Sequence, residues 1–298
     1  MAAVHDELLT LRDWLRFAVS RFNAGGLYFG HGTTNACDEA AWLILHTLHL
    51  PHDQLDPFLD ARLTSDERIG LGRMIERRIA ERIPVAYLTQ EAWLRDYRFY
   101  VDQRVIVPRS YFADLIFDDA FSPWLADREA VDNILDLCTG SGCLAILLAD
   151  AYPNATVDAV DICADALDVA RRNIRDHGLD QRIRLVQSDL FAGLADRRYD
   201  LIVCNPPYVT SAAIDSLPPE FRHEPMLALA AGTDGLDVVR RLLAQAADHL
   251  EPDGIMTVEV GHNRATVERT FPTLPMVWLS AASGEGKVFL VERGALAG

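Results

Sequence analysis

Ile134-Leu-Asp-Leu-Cys-Thr-Gly-Ser-Gly-Cys-Leu-Ala145 decides the fold. An apolar run enters a glycine turn and leaves it as an apolar segment of helical make-up, so a strand, a tight turn and a helix follow one another. In an open α/β sheet, ligands sit beyond the carboxyl ends of the strands, and glycines let the backbone approach them. Gly140-x-Gly142-x-x-Ala145 also fits a dinucleotide fingerprint. The turn alone therefore marks either a nucleoside-cofactor site or a structural bend.

Working outward, short apolar runs recur at Thr156–Val160, Ile183–Val186, Leu201–Cys204, Ile255–Val260 and Val288–Val291, with amphipathic stretches such as Ala164–His177 and Gly235–Leu250 between them. Continuous apolar strands alternating with helices predict a doubly wound, mainly parallel α/β sheet covered on both faces. Upstream the spacing is helical instead: Leu8, Leu11, Leu15 and Val19, then Ala40, Leu43, Ile44 and Leu48, then a third helix from Thr64 to Arg82 that stops before Pro84. Alternation in Phe99, Val101, Val105 and Val107 about Asp102-Gln103 predicts a β-hairpin connector. The chain thus divides into a small helical domain over residues 1–90, a hairpin over 91–108 and an α/β domain over 109–298.

Half of the 298 residues are hydrophobic and 24% are charged, enough apolar surface to exclude disorder. No run approaches ~20 apolar residues, which excludes a membrane span, and Met1 to Thr10, with Asp6 and Glu7, lacks the order of a signal peptide. Cysteines at 37, 138, 143, 163 and 204 form no CxxC pair, as expected of reduced thiols in a cytoplasm. His46, His49 and His52 recur every third residue but lack an acidic or cysteine ligand at useful spacing, so surface histidines are expected and no metal site. The net charge of −16 is concentrated after residue 108, at −13. Such a field attracts a basic partner and disfavours a nucleic-acid backbone.

Three further strand ends carry chemistry. Val157-Asp-Ala-Val-Asp161 places an acid 19 residues after Gly142, where a carboxylate accepts ribose hydroxyls, and Leu185-Val-Gln-Ser-Asp189 places another where an adenine amino group would lie. Asp200-Leu-Ile-Val-Cys-Asn205-Pro206-Pro207-Tyr208 ends a strand on two prolines flanked by Asn and Tyr. The Asn205 side-chain oxygen and the Pro206 carbonyl suit the two N–H donors of a planar amino group, with Tyr208 against its flat face. An NAD-dependent dehydrogenase, which the glycine turn alone allows, leaves Asn205–Tyr208 unexplained.

These motifs together resemble the class I S-adenosylmethionine-dependent methyltransferases that act on planar amino groups. Tyr28-Phe-Gly-His-Gly-Thr33, Val107-Pro-Arg-Ser110, Asp136-Leu-Cys-Thr-Gly-Ser-Gly-Cys143, Phe221-Arg-His-Glu-Pro225 and Leu227-Ala-Leu-Ala-Ala-Gly232 look like the protein-glutamine methyltransferase family, in its ribosomal-protein branch. The resemblance covers about Leu27 to Leu290. It implies a seven-stranded sheet, S-adenosylmethionine as cofactor and a glutamine of the basic large-subunit ribosomal protein L-three as methyl acceptor. Glutamine methylation of release factors, and amino methylation of a nucleic-acid base, are the alternatives. It further implies that Asp136, Cys138, Thr139, Gly140, Ser141, Gly142, Asp161, Asp189, Leu190 and Asn205 hold the cofactor. Asn205, Pro206 and Tyr208 would do the chemistry, and Pro207, Arg109, His223 and Glu224 would help bind the substrate. Two positions depart from the pattern. Cys138 stands where many such enzymes have glycine, which predicts a backbone without positive φ there; Asp114 replaces a Glu.

Overall fold

The computed structural model describes residues 6–281 and 284–296; Met1–His5 of the stretch read above for a signal peptide lie outside these. Three helices open the chain: α1 (Leu11–Ala24), α2 (Ala36–Thr47) and α3 (Ser65–Glu81). Their starts are written in the sequence. Thr10 and Thr64 are each followed three residues later by an acid, Asp13 and Glu67, and both pairs close reciprocal capping boxes. The helices bury one shared stripe that includes Trp14, Phe22, Leu43, Ile44, Leu71 and Ile75, all fully buried.

A short helix, α4 (Val85–Thr89), leads into the hairpin β1 (Glu91–Leu94) and β2 (Tyr97–Tyr100). Its turn is not at Asp102-Gln103 as the alternation predicted. Leu94 pairs with Tyr97, so the chain reverses at Arg95-Asp96, where Arg95 takes φ +52. The apolar alternation misled because Val101, Val105 and Val107 are buried in irregular chain packed on the α/β core, with no strand partner.

After α5 (Phe112–Phe117) come β3 (Asn133–Leu137), α6 (Cys143–Ala151), β4 (Thr156–Asp161), α7 (Ala164–Asp176), β5 (Ile183–Gln187), β6 (Tyr199–Cys204), α8 (Ser211–Ile214), α9 (Asp237–His249), β7 (Leu250–Glu259), α10 (Arg264–Thr270), β8 (Val277–Ala281) and β9 (Gly284–Glu292). The sheet order is β5-β4-β3-β6-β7-β9-β8, with β5 to β7 parallel and β9 antiparallel to both β7 and β8. This is a seven-stranded class I methyltransferase sheet. Six strands coincide with the predicted apolar runs. The seventh, β8, is an edge strand with only Leu279 buried and was missed, while β5 at the other edge, with only Ile183 buried, was found.

Strand order reverses between β3 and β6, which lie side by side with Leu137 opposite Cys204. A doubly wound sheet opens its ligand crevice at such a switch point. The glycine turn after β3 and the Asn-Pro-Pro-Tyr segment after β6 are therefore neighbours despite the intervening 60-odd residues of chain.

A buried ionic network joins the helices to the long segment after β6. Arg78, fully buried on α3, donates to Glu39 on α2 at 2.6 Å, to the Tyr28 carbonyl at 3.0 Å and to Glu220 at 3.4 Å; Arg82 reaches Glu220 at 3.1 Å. Removing one partner of such a set strands a buried charge, at a cost of about 3–5 kcal/mol. Arg78→Ala should lower the denaturation free energy on that scale, whereas Arg12→Ala, which cuts the exposed pair with Asp60, leaves it nearly unchanged. Urea unfolding of both variants checks the contrast.

Candidate active site

The glycine turn is folded around the carboxylate of Asp136. Completely buried at the end of β3, it accepts from the Thr139 hydroxyl and, at 3.0 Å, from the Ala145 N–H in the first turn of α6. Burial pushes this carboxyl up to about 7 against those two hydrogen bonds. One oxygen, Oδ1, has no hydrogen-bond partner among the described residues. Cys138 takes φ +60, contrary to the expectation from sequence. The turn imposes the left-handed conformation on a residue with a Cβ, the kind of local strain that rigid functional loops retain. Gly140 at φ +56 has open space where a Cβ would stand, while Gly142 at φ +80 would set one 3.1 Å from the Ala170 Cβ on α7. Thr139 and Ser141 are buried; the Ser141 carbonyl accepts from Asn173 at 2.8 Å, and Asn173 also exchanges hydrogen bonds with the Tyr100 backbone.

A cleft of about 230 Å³ opens over this turn. Cys138, Gly140, Asp161, Asp189, Leu190, Asn205 and Pro207 line it, with Val160 and Ile162 as apolar wall. Each oxygen of Asp161 already accepts one backbone N–H, from Gly140 and from Cys163, both at 2.9 Å. The carboxylate is thereby aimed, with lone pairs left for two hydroxyls. Asp189 accepts from Arg241 of α9 at 2.8 Å, and Arg241 itself stands on the cleft wall. Leu190 is a second non-glycine lining residue in the left-handed region, at φ +51.

The Asn-Pro-Pro-Tyr segment divides. Asn205 and Pro207 face the cleft, Pro206 is buried, and Tyr208 turns toward the end of β7. There its ring lies on Gly261, its carbonyl accepts from Asn263 at 2.7 Å, and its hydroxyl meets Glu259 at 3.4 Å. Glu259 is buried and accepts from the Ser110 hydroxyl at 2.6 Å and the Tyr111 N–H at 3.0 Å. Burial pushes its carboxyl up to about 7.

Arg109, His223 and Glu224 are not on the cleft wall. Arg109 grips Glu224 with both terminal nitrogens, one at 2.7 Å, and Glu224 also accepts from the Val107 N–H at 3.0 Å. Burial would raise the Glu224 carboxyl, but His31 at 3.7 Å and Arg109 reverse this and hold it at about 2. His223 is tied to the Glu81 carbonyl at 2.9 Å and lies 3.4 Å from Gln103. The loop reaches the cleft three residues earlier, through Arg104, Val105 and Ile106. Asp114 lies 3.8 Å from Arg95. His46, His49 and His52 surround a hollow beside Glu91 and Trp93, where His52 stacks on Trp93 at 3.6 Å. No group of three or more metal-ligating side chains occurs among the described residues. Glu259, Arg241 and Asn263 were not found from sequence. Glu259 had a signal, an acid closing an apolar strand, as Asp161 does; the other two are visible only in three dimensions.

Residues 119–221 match the methyltransferase small domain family. Over 292 residues the chain is 56% identical to the ribosomal protein uL3 glutamine methyltransferase of Neisseria meningitidis serogroup A, covering 98% of this chain and 96% of that one. The Bordetella pertussis protein of the same name is 55% identical, with 96% of each chain covered. The chain belongs to the ribosomal protein uL3 glutamine methyltransferase family. The Bradyrhizobium diazoefficiens member is 51% identical over 96% of this chain and 91% of its own. Among solved structures, the hMettl16 catalytic domain in complex with MAT2A 3'UTR hairpin 1 shares the fold at a TM-score of 0.50 and 15% identity, over 80% of this chain and 84% of that one.

The chain is thus an S-adenosylmethionine-dependent methyltransferase, and its cleft suits that cofactor. An aimed carboxylate fits ribose hydroxyls and Gly140 lets backbone come close; Asp136, fully buried beneath the turn, is not on the cleft wall. No helix among the described residues is long and apolar enough to cross a membrane.

Gly142→Ala forces a Cβ against α7 at positive φ. We expect about 1–3 kcal/mol lost in thermal unfolding and weaker cofactor binding by calorimetry. Asp136 and Glu259 titrate near 7 folded, against ordinary carboxyl values near ~4. Native protein then binds more protons than unfolded protein between those values, so stability falls as pH rises from about 4 to 7. Asp136→Asn should flatten that slope in unfolding measured across the window.

Proposed function

We propose that this enzyme transfers a methyl group from S-adenosylmethionine to the side-chain amide nitrogen of a glutamine in the large-subunit ribosomal protein uL3. The observation that carries this reading is Asn205 on the cleft wall at the switch point, in a chain similar over 98% of its length to enzymes so named. When bound, the cofactor supplies an electrophilic methyl on a sulfonium.

An amide nitrogen is a poor nucleophile because its lone pair is delocalised into the carbonyl. The Asn205 oxygen and the Pro206 carbonyl accept its two N–H groups, which fixes the nitrogen and strengthens as positive charge develops there. As the new carbon–nitrogen bond forms, the methyl's bond to sulfur would break to leave a neutral thioether, and the acidified N–H would then lose its proton to solvent. Interactions that grow toward the transition state accelerate the step, and orientation supplies much of the rest. Tyr208 flanks the flat face of the amide. Asp161, Leu190 and the 138–142 turn hold the cofactor, and Asp189 with Arg241 borders its base. Arg109, His223 and Glu224 act on the substrate through the shape of the segments they tie. The helices of residues 1–90 serve recognition, being joined to the 218–225 segment by Arg78, Arg82 and Glu220. The acidity after residue 108 suits delivery of a strongly basic ribosomal protein in the cytoplasm and disfavours a nucleic-acid substrate.

Purified protein with radiolabelled S-adenosylmethionine should label uL3, on glutamine, in an extract from cells lacking the enzyme. Label confined to release factors, RNA or DNA overturns the reading. Asn205→Ala should keep cofactor affinity in calorimetry and lose turnover by more than ~100-fold, the scale of a lost transition-state hydrogen bond.

A further inference from the structure

Glu259 is a buried carboxyl with no cation within ion-pair distance among the described residues. Its partners are the Ser110 hydroxyl at 2.6 Å, the Tyr111 N–H at 3.0 Å and the Tyr208 hydroxyl at 3.4 Å. It is 1% exposed, so it pays for desolvation without a salt bridge. Packing alone gives no reason to keep an acid there. Its place does: β7 ends at Glu259, and the five residues 259–263 fasten Tyr208 at three points. Glu259 holds the hydroxyl, Asn263 holds the carbonyl at 2.7 Å, and Gly261 carries the ring. Any side chain at Gly261 would put a Cβ 2.8 Å from Tyr208 Cε2, and its φ is +54.

We propose that Glu259 is a positioning residue that sets, through the Tyr208 hydroxyl, the plane of the ring against which the substrate amide lies, with Ser110 and Tyr111 holding the carboxyl in turn. This rests on the reading that Tyr208 flanks the amide. The two oxygens of Glu259 are unlike. Oε2 accepts two hydrogen bonds, while among the described residues Oε1 has only the longer contact to Tyr208. A proton on Glu259 therefore sits on Oε1, and the bond to Tyr208 reverses direction without being lost. The groups that face the carboxyl are Ser110, Tyr111 and Arg109 from the loop before α5, and Tyr208 from the segment after β6. Arg109 is held by Glu224, so none of these except Glu259 changes charge near neutral pH.

The test uses the full chain with 13C-labelled tyrosine, the Tyr208 ring signal being identified by its loss in Tyr208→Phe. In wild type it should shift with an apparent pKa near 7; in Glu259→Gln it should stay flat. Glu259→Gln, which donates to the Tyr208 oxygen as the protonated acid does, should keep kcat within about threefold. Glu259→Leu, which leaves the Tyr208 hydroxyl without that partner, should lose about tenfold or more in kcat, since misplaced reactants are costly, with cofactor Kd within twofold and KM little changed. Combined with Tyr208→Phe it should be no worse than Tyr208→Phe alone, because coupled residues are not additive. Should Glu259→Gln fail to fold, Ser110→Ala replaces it, with the Tyr208 shift moved in pH. A Tyr208 signal that titrates alike in wild type and variant, or losses that multiply, overturns the proposal. Absence of glutamine labelling by wild type would instead sink the proposed function, and the Tyr208 signal would still decide whether Glu259 controls the ring.

Discussion

The ion pair between Glu224 and Arg109 is the contact on which the catalytic face depends. One carboxylate collects three separate stretches of chain: the Val107–Arg109 loop, the long segment after β6, and His31 from the helical part. Val107–Arg109 and His31 lie in irregular chain, and Glu224 closes a single 3-10 turn, Pro219–His223. Burial by itself would protonate Glu224, and a neutral acid could not hold an arginine fork. His31 and Arg109 keep it ionised far below neutral pH. The contact is strong because it is charge-assisted and two-pronged and its carboxylate is fully buried; Phe221 packs on both the His31 ring, at 4.5 Å, and Arg109, at 5.6 Å.

From that fixed point the site is assembled outward. Arg109 leads directly to Ser110, whose hydroxyl bonds Glu259, which meets Tyr208, which follows Asn205 in the chain. On the other side, Glu220 four residues before Glu224 takes up Arg78 and Arg82, so the helices are clamped to the same segment. The cleft and the Asn-Pro-Pro-Tyr segment share one boundary, the β3–β6 switch point. The parallel pairing of Leu137 with Cys204 sets the spacing between the glycine turn and Asn205.

Much of this was legible in the sequence because it obeys local rules. Thr10 and Thr64 announce helix starts through their own side chains, and β3, β4 and β6 read as apolar runs because both faces of the sheet are covered there. Asp161 and Asn205 were found because each closes such a run. The misses have a common cause, which is that a distant partner decided the outcome. Val101, Val105 and Val107 look like a strand but are buried by the α/β core without pairing; β8 lies at an edge with only Leu279 buried; Cys138 adopts positive φ because Asp136 ties both ends of the turn. Arg109 and Glu224 were singled out by motif, yet their mutual bond, 115 residues apart in sequence, could not be read from it.

The structure also changes what the formal charge means. Of the acids that make up −16, Glu39, Glu220 and Glu224 are buried against arginines and project little field outward. Asp136 and Glu259, with carboxyls near 7, carry only part of a charge at neutral pH, which removes at most two of the sixteen. The buried acids therefore account for the architecture, and the exposed ones account for the field. Because arginines neutralise Glu39, Glu220 and Glu224, and Asp136 and Glu259 are only partly charged, the remaining excess lies on exposed carboxylates. There it is screened by salt over about 8–10 Å. Under the proposed function, a field of that range acts on a basic protein as it approaches, while the orientation of the amide is settled at contact by uncharged acceptors, Asn205 and the Pro206 carbonyl.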